Sequence, residues 1–167
     1  MTTRLGPHYI VNCMINIYES YDNDSLEAAK KLIEEYTEFL GFDLNFQDFA
    51  EEMAEFPGKY APPEGCLLLA KVNGRVAGCI ALRKIDNAAC EMKRLFVRSE
   101  FRGRGVGRML VEELLTRARE KGYRAMRLDT VPQLDSANAL YEKIGFKDIE
   151  PYYHNPIPGA RFMEITL

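Results

Sequence analysis

Two histidines, His8 and His154, are all the chain carries, and no Cys/His cluster forms around either. A metal site is therefore not expected. The four cysteines (13, 66, 79 and 90) include no CxxC pair, and no histidine stands beside them in a plausible catalytic segment. That argues against a cysteine nucleophile and for reduced, buried thiols in a cytoplasmic protein. No apolar run approaches the ~18 residues of a membrane span. No basic, apolar, small-residue leader opens the chain, and there are neither internal repeats nor low-complexity tracts.

What is present fits one hydrophobic core. The 167 residues are 47% hydrophobic and 28% charged, enough for a single domain and too few for two. Residues 1–13 show no clear pattern and read as an N-terminal extension, leaving 14–167 as the domain. Charge is uneven: residues 1–87 hold 8 basic and 14 acidic side chains, residues 88–167 hold 14 and 11. An anionic ligand is expected on the basic half, and an acidic front half suits a cationic amine if its acids line a cleft. Solvated faces of two helices are the simpler explanation for most of these acids. The balance argues against a nucleic-acid partner.

The basic half is built around Cys90–Lys121, CEMKRLFVRSEFRGRGVGRMLVEELLTRAREK. It reads as a strand ending at Val97, a basic glycine-rich turn, and an amphipathic helix from Val106 with Leu110, Leu114 and Ala118 on one face. Gly122 stands where a left-handed C-terminal cap belongs. A glycine-rich turn opening a helix aims unpaired N–H groups and the positive end of the helix dipole at one point. That is an anion site, and arginines 102, 104 and 108 add charge to it. The spacing is neither a Walker loop nor the dinucleotide fingerprint GxGxxG.

Arg-x-x-Gly-x-Gly at 102–107 instead resembles the pyrophosphate loop of the GNAT superfamily of acyl-CoA-dependent N-acetyltransferases. Two further segments carry the resemblance. Glu91, eleven residues before Arg102, stands where several of these enzymes have a general-base glutamate. Asn138-Ala139-Leu140-Tyr141-Glu142-Lys143-Ile144-Gly145-Phe146 is similar to the family's Asn-x-x-Tyr-x-x-x-Gly-Phe segment. The three occur in family order over 91–146, and weaker resemblance extends from about Leu67 to Leu167.

In chain order, Ile15–Tyr18 reads as a strand, and Asp24 or Ser25 as the cap of a helix over Leu26–Leu40 that ends at Gly41. Phe42–Phe56 reads as a second, shorter helix, followed by a proline-rich break. Cys66–Val72 and Arg75–Arg83 form a hairpin about Asn73-Gly74. Ala89–Val97 follows, and Ala125–Val131 pairs parallel to it across the central helix. Asp135 or Ser136 caps a helix over Ala137–Ile144, and Phe146–Ile149 and Phe162–Leu167 close the sheet. The expected fold is α/β (α+β): a mixed, mostly antiparallel sheet flanked by helices, with a parallel central pair that the family resemblance implies is splayed.

The resemblance also implies the chemistry. Acetyl-CoA is the co-substrate, without a metal. Its pantetheine arm pairs with the backbone of Leu95, Phe96 and Val97, and its diphosphate rests on Arg102, Gly103, Arg104, Gly105, Val106, Gly107 and Arg108. Asn138, on the face of Tyr141, offers its amide to the pantetheine. Glu91 takes the amine proton directly or through water, and Tyr141 protonates the departing sulfur. A structural carboxylate and a core aromatic are the plain alternatives for these two. Attack occurs in a ternary complex, with a backbone N–H near Leu95 or Phe96 stabilising the oxyanion. Tyr152, Tyr153 and His154, in a proline-interrupted loop, either border the acceptor cleft or pack only among themselves. The acceptor is a small-molecule or peptide amine, and a homodimer stays open. A noncatalytic acyl-CoA sensor, or an acyltransferase directed at protein or RNA, are the other functions this fold would serve.

Overall fold

The computed structural model describes residues 13–45 and 48–167; the expected extension lies, apart from Cys13, outside them. β1 (Ile15–Glu19) pairs antiparallel with β2 (Cys66–Val72), and β2 with β3 (Arg75–Lys84). Asn73 and Gly74 turn that hairpin with φ of 49° and 80°, the left-handed geometry a two-residue hairpin needs. β3 pairs antiparallel with β4 (Ala89–Val97), and β4 parallel with β5 (Ala125–Thr130). β6 (Lys147–Ile149) and β7 (Arg161–Thr166) complete one sheet in the order β1-β2-β3-β4-β5-β7-β6. The parallel pair sits between antiparallel neighbours, in agreement with the expectation from sequence.

Between β1 and β2 the chain leaves the sheet as α1 (Asn23–Leu40) and α2 (Phe49–Glu55). α1 begins one turn before the expected start. Asp22 caps it by accepting the Ser25 N–H at 2.8 Å, and Ser25, one of the two caps expected, is buried inside the first turn. Gly41 closes the helix at φ 71°. The helix expected over Phe42–Phe56 is much shorter, covering Phe49–Glu55. Asp43 accepts the Asn45 N–H at 2.9 Å, a local turn that competes with helix formation, and Asp48 is left-handed at φ 55°. Phe42 and Leu44 thus descend toward the sheet as loop residues.

α3 (Val106–Glu120) links β4 to β5, and α4 (Asp135–Ile144) links β5 to β6. Neither Asp135 nor Ser136 caps α4: the helix starts at Asp135 behind Leu134, with no side-chain cap. The sheet has two filled faces. Leu68, Ile80, Met92 and Leu128 pack with Leu110, Leu114 and Tyr141 of α3 and α4. Leu67, Leu69, Cys79 and Ala81 pack with Ala29, Leu32 and Ile33 of α1 and with Tyr60. Alternation along each strand makes that division, and irregularities in β2–β3 and β3–β4 pairing reverse its parity, so that Phe96 joins the α1 side and Leu95 and Val97 the other.

Candidate active site

β4 and β5 are paired through only three rungs, Ala89–Ala125, Cys90–Met126 and Glu91–Arg127. Beyond Glu91 they part: β4 continues against β3 as far as Val97, and β5 against β7 as far as Thr130. A bulge on β4 helps to turn it away. Ala81 faces Lys93 while Cys79 faces Phe96, so β4 carries one residue more than β3 between those rungs. The extra turn falls at Arg94, whose φ is 61°, and Glu52 of α2 grips its guanidinium at 2.8 Å. Opposite the bulge, Gly78 has no room for a side chain: a Cβ there would stand 2.5 Å from the Phe96 carbonyl oxygen.

The opened edge forms a cleft of about 600 Å³ between β4, the 102–108 turn and the start of α4. Leu95, Phe96, Val97, Arg102, Gly103, Gly105, Val106, Gly107, Arg108 and Tyr141 all line it. Gly105, at φ 82°, precedes the first residue of α3 and no side chain caps that end, so the first-turn N–H groups of α3 face the cleft. Arg102 is exposed at its edge, with Nε donating to the Val97 carbonyl at 2.9 Å and the guanidinium 4.7 Å from the Phe39 ring centre.

A family model, "Acetyltransferase (GNAT) family", matches residues 26–146, which spans both walls of this cleft. The chain belongs to the GNAT acetyltransferase family. An uncharacterized N-acetyltransferase of Schizosaccharomyces pombe is 42% identical over 144 residues, covering 85% of this chain and 88% of that one. The crystal structure of an acetyltransferase from Streptococcus agalactiae superposes with a TM-score of 0.74 at 26% identity, over 92% of this chain and 98% of the other. The PaiA N-acetyltransferase of Thermoplasma acidophilum, solved with coenzyme A, shares the fold at a TM-score of 0.69 and 20% identity, over 92% and 99%. This GNAT chain is accordingly an acyltransferase.

Not every residue expected to hold its cofactor lines the cleft. Arg104 turns outward, its guanidinium 5.9 Å from the Phe101 ring centre. The Asn138 amide is spent inside the protein: Oδ1 accepts from Thr130 Oγ1 at 2.6 Å and Nδ2 donates to the Val131 carbonyl at 3.0 Å. Asn138 thus fastens α4 to the end of β5. Tyr141, one turn on, is buried, with its ring edge-on to Phe146 at 5.8 Å. Burial pushes its phenol well above the ordinary tyrosine value.

Tyr141 also borders a second space, an inner cavity of about 50 Å³ on the α1 side of the splay. Its wall combines apolar Leu40, Phe42, Leu44 and Leu128 with polar Tyr36, Lys93, Arg94, Asp129 and Asn155. Asp129, Lys93 and Asn155 belong to no motif that marks them in the sequence. Strand alternation alone puts Lys93 on the face of Glu91, but their meeting with Asp129 depends on the β4–β5 register. Asp129 accepts from the hydroxyl of Tyr153 and, at 2.9 Å, from Asn155 Nδ2. Lys93 Nζ lies 4.0 Å from Asp129 Oδ1 and 3.6 Å from Glu91 Oε1.

Glu91 itself is buried just below the splay. Arg83 donates to its Oε1 from Nη2 at 2.9 Å, and the Tyr152 hydroxyl to its Oε2 at 2.9 Å. It does not line the inner cavity, which Lys93 separates from it. The 151–159 loop therefore reaches Glu91 and Asp129 through Tyr152, Tyr153 and Asn155, while His154 is exposed. Among the described residues no helix is long and apolar enough to cross a membrane.

Proposed function

We propose that this enzyme moves the acetyl group of acetyl-CoA to a primary amine by direct attack in a ternary complex. The observation that carries the reading is the position of Tyr141, which lines both the 600 Å³ cleft and the 50 Å³ inner cavity. A thioester in the first and an amine in the second would meet at its hydroxyl. The 102–108 turn and the start of α3 hold the diphosphate, and the Leu95–Val97 edge pairs with the pantetheine amides, since edge groups facing a splayed neighbour need partners. A main-chain N–H near Leu95 or Phe96 stabilises the oxyanion. Tyr141, kept protonated by burial, gives its proton to the departing sulfur and regains one from the new amide nitrogen.

Glu91 serves the amine's deprotonation from outside the cavity, through the groups between them. The inner cavity of about 50 Å³ holds roughly three to five waters at some 10–15 Å³ each, so it admits the amine-bearing tip of an acceptor and not its body. A small molecule or a peptide terminus satisfies that limit. The test is a panel of primary amines with acetyl-CoA, following free thiol release, alongside calorimetry with coenzyme A. Turnover with at least one amine is expected. Coenzyme A binding without turnover on any amine would favour the sensor reading, and no heat from coenzyme A would overturn both.

A further inference from the structure

We propose that the Lys93 amine takes the acceptor's proton, with Glu91 and Asp129 holding the ammonium that forms. This deepens the acetyl-transfer reading and rests on it. Lys93 of β4 lines the inner cavity between Glu91 below and Asp129 across the splay, beside Arg94, whose guanidinium is held by Glu52. Its side chain is 4% exposed. Both carboxylates are committed to fixed donors: Glu91 to Arg83 and Tyr152, Asp129 to Tyr153 and Asn155. With their oxygens occupied by those donors, the two carboxylates stand as counter-charges on either side of the Lys93 ammonium.

The groups around Lys93 come from every neighbouring element. Arg83 approaches from β3, Arg94 and Glu91 from β4, and Asp129 from β5. Tyr36 of α1 and the 151–159 loop close the cavity side. Burial holds the Lys93 amine below its ordinary value, with Arg94 and Arg83 acting in the same direction against Glu91 and Asp129. An acceptor ammonium would face Lys93 across a cavity a few waters wide, so two amines compete there for one proton.

The proton count closes. One N–H bond of the acceptor ammonium breaks, its electron pair stays on the acceptor nitrogen, and the proton forms a new N–H bond on neutral Lys93. The freed amine forms the C–N bond as the C–S bond breaks. A second proton from that nitrogen reaches the sulfur by way of Tyr141. Lys93 returns its own to solvent when product leaves.

The experiment uses full-length protein with labelled lysine, Lys93→Arg to assign the signal, and Lys93→Met. NMR titration of the Nζ groups should find Lys93 deprotonating at a lower pH than the surface lysines. With the amine of highest turnover in the panel above, kcat/KM should rise along that titration. Lys93→Arg, which keeps the charge but cannot carry the proton, should lose about 10²–10⁴-fold in kcat. Lys93→Met should lose the pH limb. Lys93 titrating with the surface lysines, or Lys93→Arg keeping the wild-type limb, would overturn the proposal, and the first measurement needs no variant beyond the assignment. Heat from coenzyme A in all three proteins separates a failed proton path from a failed cofactor site.

Discussion

Tyr152 donates its hydroxyl proton to Glu91 Oε2 at 2.9 Å across 61 residues of sequence, so the late loop is tied to the last strand position before the splay. The bond joins a neutral donor to a buried carboxylate, a class that contributes about 1.5–3 kcal/mol. Tyr152→Phe is expected to lower Tm accordingly and to raise the acceptor KM, because the loop also carries Tyr153 and Asn155 to Asp129. Coenzyme A affinity should not move. A calorimetric titration with coenzyme A beside a steady-state acceptor series checks both halves, and an unaltered KM would detach the loop from the acceptor site.

Tyr141→Phe removes one oxygen at the junction of the two cavities and leaves the ring contact with Phe146. If the phenol protonates the leaving sulfur, kcat falls by about 10²–10⁴-fold. The Kd for coenzyme A stays as it was, because the cleft wall keeps its shape. Equal kcat in the two proteins would return Tyr141 to the role of a core aromatic.

How much of this is legible in the sequence follows from the range of each interaction. The 102–107 turn, the Asn73-Gly74 hairpin and the α3 face are local patterns, and each lies where its residues put it. The bulge at Arg94 has no such signature, since arginine is not a residue that seeks positive φ. It is held by the Glu52 ion pair from α2, 42 residues away. Asn138 reads from its motif as a ligand contact because its true partners, Thr130 and Val131, become visible only once α4 is docked on β5. The Lys93–Asp129 approach is further removed still. It exists because β4 and β5 are parallel neighbours in one register, which periodicity within either strand does not encode.

Asn138→Ala tests that docking. The change leaves the buried Thr130 hydroxyl without its acceptor, at about 1–3 kcal/mol, and leaves the Val131 carbonyl with only the Leu134 N–H, at 3.1 Å. Tm should drop, and kcat should fall with it because Tyr141 sits one turn further along the same helix. Asn138→Asp keeps an acceptor for Thr130 but loses the donor to Val131, so it should be intermediate in Tm. Wild-type stability in Asn138→Ala would show that α4 is placed by its apolar face alone.

The thiols and phenols fix the alkaline limit of the fold. Burial pushes Cys66, Cys79 and Cys90 each up to about 12 from an ordinary 9.0, and Tyr36 up to about 12 from 10.0. Above pH 9 the unfolded chain gives up these protons while the native protein keeps them, so stability declines as pH rises from about 9 to 12. Tm should fall through that window, with the tyrosinate absorbance of the buried phenols appearing at the unfolding transition. At neutral pH a thiol reagent should label Cys13, which is exposed, and leave the other three until denaturant is added. That background must be subtracted in any assay that reads thiol release.

Gly105 and Gly107 belong to the same turn but answer to different constraints. Gly105 takes φ 82° with open space where a methyl would stand, so Gly105→Ala meets no clash and only the backbone penalty of about 1–2 kcal/mol for a left-handed residue. Relief of that strain would swing the turn and misdirect the first N–H groups of α3, so a clear weakening of coenzyme A binding should accompany the lower Tm. Gly107 lies inside α3, and a Cβ there would make ordinary 3.8 Å contacts with Leu140 and Val97. Gly107→Ala should therefore fold at least as well as wild type, since alanine is favoured over glycine within a helix by about 1 kcal/mol. Isothermal titration of the two variants with coenzyme A separates the cases. Comparable losses in both would mean that the diphosphate needs bare backbone at 107 as well, whereas undiminished affinity in Gly105→Ala would move the anion site away from the head of α3.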